Sequence, residues 1–174
     1  LSKVADLFDE GSVSAKAIKV VFASTRQVYG KPEYLPVDER HPLLPVDVNG
    51  INKMAGEWYH VLYNNVYGIH TSVLRLTNTY GPRMLVKNNR QTAIGWLIRQ
   101  ALDGEDITVF GDGSQLRDFT YVDDIASGVV RTLDRPPEPN PAYDRTKADP
   151  AAGAAPYRVF NIGNNNPVQL LDFI

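Results

Sequence analysis

In Lys19-Val-Val-Phe-Ala-Ser-Thr-Arg-Gln-Val-Tyr-Gly30, an apolar run rich in β-branched and aromatic residues gives way after Ala23 to hydroxyl, guanidinium and amide side chains. Such a run predicts a buried strand over residues 19–24, with chemically capable residues at its C-terminal end. Working outward, Ile51, Met54, Ala55, Trp58, Val61 and Leu62 recur at steps of three and four, which predicts a helix over 51–67 with these residues on one face. Gly68 suits the position after its last turn. A second strand is expected over His70 to Thr77, ended by Gly81-Pro82.

The pattern repeats further along. A helix over 91–103 is expected to turn Ile94, Leu97, Ile98, Ala101 and Leu102 inward, with Gly104 after it. Ile107 to Phe110 reads as a short strand closed by a Gly111-Asp112-Gly113 turn. Asp123 or Asp124 opens a helix running to about Asp134, where acidic groups suit the positive end of the helix dipole. A last strand covers Val159 to Ile162. Alternation of strand and helix implies a largely parallel sheet covered by helices, an α/β fold.

The bulk properties narrow the function classes. The 174 residues suffice for one domain with a sizeable core. Hydrophobic residues at 43% and charged residues at 22% are ordinary globular usage. Eighteen basic against twenty acidic residues give a net charge of −2, which offers no electrostatic case for a nucleic acid or an anionic membrane as the main partner. No stretch approaches the roughly 18 uninterrupted apolar residues of a membrane span, and residues 1–10 lack the order of a signal peptide. There is no cysteine, so disulfides, thiolate metal sites and cysteine nucleophiles are excluded, and a cytoplasmic address is the expectation. His41, His60 and His70 lack metal-ligand spacing and are expected in structural roles.

Six of the twelve prolines lie between Pro136 and Pro156. Residues 135–156 therefore read as an exposed loop rather than a linker. Residues 1–12 read as the tail of a helix, and Val168 to Ile174 as the start of one. Both ends lead us to expect a fragment of a larger α/β protein.

The opening stretch, taken as Phe22-Ala-Ser-Thr-Arg-Gln-Val-Tyr-Gly30, resembles the strand-end motif of the NAD-dependent epimerase/dehydratase family, the extended short-chain dehydrogenase/reductases that act on nucleotide sugars. The resemblance continues, in family order, through Asn49-Gly-Ile-Asn-Lys53 with Glu57, Leu74-Arg-Leu-Thr-Asn-Thr-Tyr-Gly-Pro82, Phe110-Gly-Asp-Gly-Ser-Gln-Leu-Arg-Asp-Phe-Thr-Tyr-Val-Asp-Asp124 and Asn161-Ile-Gly163. It implies the C-terminal half of a Rossmann-like, doubly wound parallel sheet plus part of a small α/β substrate-binding lobe. The whole of residues 1–174 is then one incomplete domain. No Gly-x-x-Gly-x-x-Gly turn is present, so the N-terminal units that cradle the NAD pyrophosphate are expected to be missing.

The resemblance also implies a chemistry. NAD takes a hydride from a sugar carbon and returns it, a Tyr exchanges the hydroxyl proton, a Ser or Thr hydrogen-bonds the same oxygen, and a Lys binds the nicotinamide ribose and lowers the Tyr pKa. Thr25 falls at the Ser/Thr position and Lys53 at the Lys, with Ser24 beside the cofactor. The competing structural readings are a Thr25 hydroxyl that serves strand-end backbone, and a plain i,i+4 pair between Lys53 and Glu57. Asn78 and Arg117 match the residues that contact the substrate diphosphate, a role that suits the guanidinium fork. Their alternatives are a backbone cap and a surface ion pair. Asp118 and Asp123 read as loop and helix-cap residues. Arg83, Lys87 and Arg90 form a basic run that either flanks the phosphates or is simply solvated.

One position departs from the family. Asn49 stands where the catalytic Tyr belongs, and an amide cannot exchange a proton near neutral pH. Tyr29 is the nearest alternative phenol, although its usual reading is structural, and Asn49-Gly50 alone reads equally as a turn before the helix. Arg26-Gln27 replaces the acidic pair of the dehydratases, which disfavours dehydration and leaves epimerisation. The C-terminal portion from Asp134 onward resembles UDP-glucuronate 4-epimerases. The expectation is therefore an NAD-dependent nucleotide-sugar epimerase acting on a UDP-sugar, homodimeric through a helix such as 51–67. The alternative is a non-catalytic relative or fragment that binds a nucleotide sugar or a partner subunit.

Overall fold

The computed structural model describes residues 18–86, 93–147 and 149–174. Expectations for residues 1–12, Lys87, Arg90 and the first two positions of the 91–103 helix lie outside them. The described residues fall into two compact units, one drawn from Leu1–Leu76 and Ser127–Ile162, the other from Thr77–Ala126 and Gly163–Ile174.

The first unit is built on a parallel sheet. Strand β1 (Lys19–Thr25), β2 (His70–Leu76) and a late strand, β6 (Tyr157–Ile162), are hydrogen-bonded in the order β1-β2-β6. Lys19 lies opposite His70 and Thr25 opposite Leu76, while Thr71 lies opposite Tyr157 and Leu76 opposite Ile162. All but the last residue of β2 are buried, as a central strand covered on both faces requires. The expected strand ran to Thr77, but the observed one stops one residue earlier, at Leu76. Val73, Ala151, Tyr157 and Val159 form the core, with Phe22 and Val61 against it.

Helix α1 (Val48–Tyr67) begins three residues before the expected start, because the Asp47 carboxylate caps it by accepting from the Gly50 N–H at 2.7 Å. Asn49-Gly50 is therefore the first turn of a helix, not a turn ahead of one. Gly68 closes the helix, with its N–H on the Asn64 carbonyl at 2.8 Å. The helix lies hard against β1 and the turn that follows it at two glycines. A Cβ on Gly56 would stand 2.6 Å from the Phe22 ring, and one on Gly50 would stand 2.6 Å from the Gln27 carbonyl oxygen.

The expected inward face of α1 is only partly inward. Gly50, Glu57, His60 and Asn64 are its buried residues, whereas Ile51, Trp58 and Leu62 are exposed, as are Val48, Tyr59 and Val66. Helical periodicity identified the apolar stripe but could not say what covers it. Apart from Gly50, the buried residues of the helix are instead polar and hydrogen-bonded. Asn64 Nδ2 donates to the Ile69 carbonyl at 2.6 Å, and His60 Nδ1 bonds the Gly56 carbonyl at 2.7 Å while the ring packs, tilted, on Phe22.

Residues 135–156 are more than an exposed loop. Ala151 belongs to the core, Ala152 bridges Arg158, and the Pro137 carbonyl holds the buried His70 ring at 2.8 Å. Both nitrogens of the buried His41 ring bond backbone, Nε2 to the Glu33 N–H at 2.9 Å and Nδ1 to the Pro42 carbonyl at 2.8 Å.

The second unit contains β3 (Asn78–Tyr80) parallel to β5 (Phe119–Tyr121), and β4 (Leu116–Arg117) antiparallel to β7 (Val168–Gln169). Helix α2 (Ala93–Asp103) buries Ile94 and Leu97, but Ile98, Ala101 and Leu102 are exposed, contrary to the periodic reading. Residues Ile107 to Phe110 are not in a strand. The Gln100 side chain takes over their backbone, donating to the Asp106 carbonyl at 2.7 Å and accepting from the Thr108 N–H at 3.3 Å, so helix rather than sheet holds them. The chain ends on α4 (Leu170–Phe173), with β7 directly before it where only a helix was expected. Helix α3 (Val122–Asp134) carries Asp123 and Asp124 in its first turn, as expected.

Candidate active site at the end of strand β1

Strand β1 ends in a single 3-10 turn, Arg26–Tyr29, that brings two different sets of side chains together. Successive strand residues face opposite ways. Ser24 therefore points inward and is 4% exposed, whereas Thr25 is half-buried on the other side.

The inward set is a charged network. Ser24 Oγ donates to Glu57 Oε1. The Glu57 carboxylate receives Arg75 in fork geometry, Nε at 3.0 Å and Nη2 at 2.7 Å, and both side chains are almost wholly buried. Arg75 Nη1 donates to the Tyr29 hydroxyl at 2.9 Å, and that hydroxyl donates to Asn161 Oδ1 at 2.6 Å. Asn161 is held in turn by Glu39 and the Val37 carbonyl at 2.7 and 3.0 Å. Burial works against the charge of Arg75, but the hydrogen bonds and charge of Glu57 outweigh it and keep the guanidinium protonated.

Two expected site residues fall in this network. Ser24, expected beside the cofactor, spends its hydroxyl on Glu57. Tyr29, expected as a substitute base, is 4% exposed and engaged on both sides. Burial raises its pKa, and the hydrogen bonds from Arg75 and to Asn161 only partly reverse this, so the phenol stays protonated above its ordinary range. This is the placement of a buried bridge between β1, β2 and β6, not of a base open to substrate.

The outward set is uncharged apart from one ammonium. Thr25 caps the 3-10 turn, accepting from the Gln27 N–H at 3.3 Å, and its hydroxyl donates to Gln27 Oε1 at 3.4 Å. Asn49 Nδ2 donates to the same Gln27 oxygen. One turn along α1, Lys53 Nζ donates to the Ala23 carbonyl at 2.7 Å and lies 5.1 Å from the Phe22 ring centre. Lys53 and Glu57 thus turn to different partners rather than to each other. Thr25, Asn49 and Lys53 gather at the C-terminal end of β1, on the side where open α/β sheets bind ligands.

Asn78 and Arg117 belong to the second unit. Asn78 Nδ2 donates to the Asp118 carbonyl at 3.2 Å, and Arg117 Nη1 to the Leu116 carbonyl at 2.8 Å. The Asp118 carboxylate organises a loop, accepting from the N–H groups of Asn164 and Asn166 at 2.9 and 3.2 Å. Arg83 has a left-handed backbone, φ 67°. Sequence spacing offers Glu57 only as an i,i+4 partner for Lys53, and Arg75 and Asn161 only as members of quoted blocks; nothing in it tells that the three meet. Gln27 was noticed only for the carboxylate it replaces.

A cavity of about 370 Å³ in the first unit is lined by Glu57, Trp58, Val61, Asn64, Arg75 and Tyr157, among others. Thr25, Asn49 and Lys53 do not line it. Burial, followed by the charge of Glu57, pushes the Tyr157 phenol well above its ordinary range.

The chain is similar to several known proteins over most of its length. UDP-glucuronate 4-epimerase 1 of Arabidopsis thaliana is 34% identical over 153 residues, 86% of this chain and 34% of that protein. The crystal structure of UDP-glucuronic acid 4-epimerase from Bacillus cereus in complex with UDP-glucuronic acid and NAD is 33% identical, with a TM-score of 0.71 over 90% of this chain and 43% of that one. UDP-N-acetylglucosamine 4-epimerase from Methanobrevibacter ruminantium, in complex with UDP-N-acetylmuramic acid, is 26% identical, with a TM-score of 0.72 over 89% and 44%. The chain spans less than half the length of each. The profile of the NAD dependent epimerase/dehydratase family matches residues 4–163. This chain belongs to the NAD-dependent epimerase/dehydratase family.

Proposed function

We propose that this chain is the part of an NAD-dependent UDP-sugar 4-epimerase that holds the reacting sugar hydroxyl, with UDP-glucuronate as its substrate. The observation that carries this reading is the gathering of Thr25, Asn49 and Lys53 at the C-terminal end of β1. The tail from Asp134 onward and the relative of Arabidopsis thaliana support glucuronate as the sugar. NAD, when bound, supplies the acceptor and donor of the hydride. Of the residues described, Lys53 suits it best: its ammonium is fixed by the Ala23 carbonyl at the strand end and retains two donors for the ribose hydroxyls. Thr25 holds the reacting sugar oxygen, and Asn49 stands beside it without a transferable proton. Asn78 and Arg117 take the diphosphate. Ser24 and Tyr29 hold the strand end in shape from within.

The protein works as a cytoplasmic homodimer in this reading. The exposed stripe of Val48, Ile51, Trp58, Tyr59, Leu62 and Val66 on α1 is the surface a second copy would cover. No helix among the described residues is long and apolar enough to cross a membrane.

The test is interconversion of UDP-glucuronate and UDP-galacturonate by the complete polypeptide carrying this chain, with UDP-glucose for comparison. Slow conversion of the glucuronate is expected. Arg117→Ala should weaken UDP-sugar binding by about 1.5–3 kcal/mol, the range for hydrogen bonds to charged groups, as read by calorimetry. No binding of any UDP-sugar would end the proposal, and unchanged affinity would return Arg117 to a surface role.

A further inference from the structure

We propose that Gln27 is a positioning residue, holding the Asn49 amide so that Asn49 Oδ1 accepts a hydrogen bond from the hydroxyl at the reacting carbon of the sugar. This rests on the nucleotide-sugar reading of the same site.

A primary amide offers its donor and its acceptor in one plane, at opposite edges of the group. Free to rotate, Asn49 would present either to a ligand. The structure removes the choice. Asn49 Nδ2 is spent on Gln27 Oε1, which turns Asn49 Oδ1 the other way. No described residue donates to Asn49 Oδ1, which leaves that acceptor open to a ligand hydroxyl. Gln27 Oε1 also receives the Thr25 hydroxyl at 3.4 Å, so one oxygen gathers the two side chains that the reading places at the sugar.

The backbone fixes both ends of this contact. The Gln27 carbonyl oxygen would lie 2.6 Å from a Cβ on Gly50, so the first turn of α1 sits against the turn that carries Gln27. Asp47 pins the same helical turn through the Gly50 N–H at 2.7 Å. Gln27 is held in its turn by its own N–H on Thr25 Oγ1. The result is an uncharged clamp. It can bind an alcohol as a hydrogen-bond donor, but it holds no group that takes the proton away near neutral pH.

Two ligands test the inference on the complete polypeptide: UDP-glucuronate and its 4-deoxy analogue, which lacks the hydroxyl in question. Wild-type protein should bind the parent about two- to tenfold more tightly than the analogue, the worth of one neutral hydrogen bond. Asn49→Ala should abolish that preference. Gln27→Ala should abolish it too, with affinity for the analogue unchanged, and the two changes together should do no more than either. Gln27→Glu, which still accepts from Asn49 Nδ2, should restore the preference. A role confined to fold stability would lower affinity for both ligands alike. If Asn49→Ala loses the preference and Gln27→Ala keeps it, the positioning role is overturned while the functional reading stands. If neither ligand binds the wild type, the functional reading falls and takes this inference with it.

Discussion

Two clusters share the last turn of β1 and differ in everything else. The inner one, Ser24, Glu57, Arg75, Tyr29 and Asn161, is charged, buried and bonded on every side. The outer one, Thr25, Gln27, Asn49 and Lys53, is mostly neutral, partly exposed and bonded on one side only. A buried ion pair is costly to leave half-made, so its members are tied to one arrangement. An exposed amide held at one edge, as Asn49 is by Gln27, keeps its other edge open to a ligand. Closeness in sequence does not decide the cluster: Tyr29 is near Thr25 in the chain yet bonds Arg75 and Asn161 in the inner one.

The largest effect expected belongs to the outer cluster. Asn49→Tyr should raise the epimerisation rate of the complete polypeptide by about 10²–10⁴-fold, the usual worth of general acid–base catalysis, with little change in stability. A fall in rate would mean that the pocket is built around the amide and that Asn49 contributes something a phenol cannot.

The inner cluster should respond in the opposite currency. Arg75→Ala leaves the Glu57 carboxylate buried without its partner and should cost about 3–5 kcal/mol of stability, read by chemical denaturation. A loss below about 1 kcal/mol would show that the network does not hold the sheet together. Tyr29→Phe is the sharper probe of the boundary between the clusters. It strips partners from Arg75 and Asn161 and should cost about 1–3 kcal/mol, while leaving the rate of folded protein unchanged. Abolished turnover with stability intact would move Tyr29 into the outer cluster as the base.

The smallest effect is one of pH. Burial lowers the pKa of His60, whose ring packs on Phe22 beneath α1. The unfolded chain therefore takes up a proton near pH 6.5 that the folded chain refuses. Stability should be highest above that pH and fall as the pH drops below it. His60→Gln should flatten this slope, and an unchanged slope would assign the dependence to other groups.

Much of the frame was legible in residue order. The strand at 19–24, the helix after Asp47, the strand from His70 and the strand ending at Ile162 all follow from runs and periods a few residues long, and such local signals survive without tertiary context. The family motifs were legible for the same reason, since each is a contiguous block. Ile107 to Phe110 was misread because its β-branched run satisfied a strand pattern while the Gln100 side chain, seven to ten residues earlier, had taken its backbone.

By itself, the sequence determined the α/β alternation, the family and the absence of a tyrosine at position 49. Only the tertiary structure decided which polar residues are interior and which face outward. Helical and strand periods mark the faces of an element but not what lies against each face. Glu57 and Trp58 are neighbours in the chain, yet one is buried on Arg75 and the other is 61% exposed. That assignment depends on Arg75 arriving from β2, eighteen residues away, and on Asn161 arriving from β6. Contacts at such separation are made by the sheet, and no local pattern encodes them.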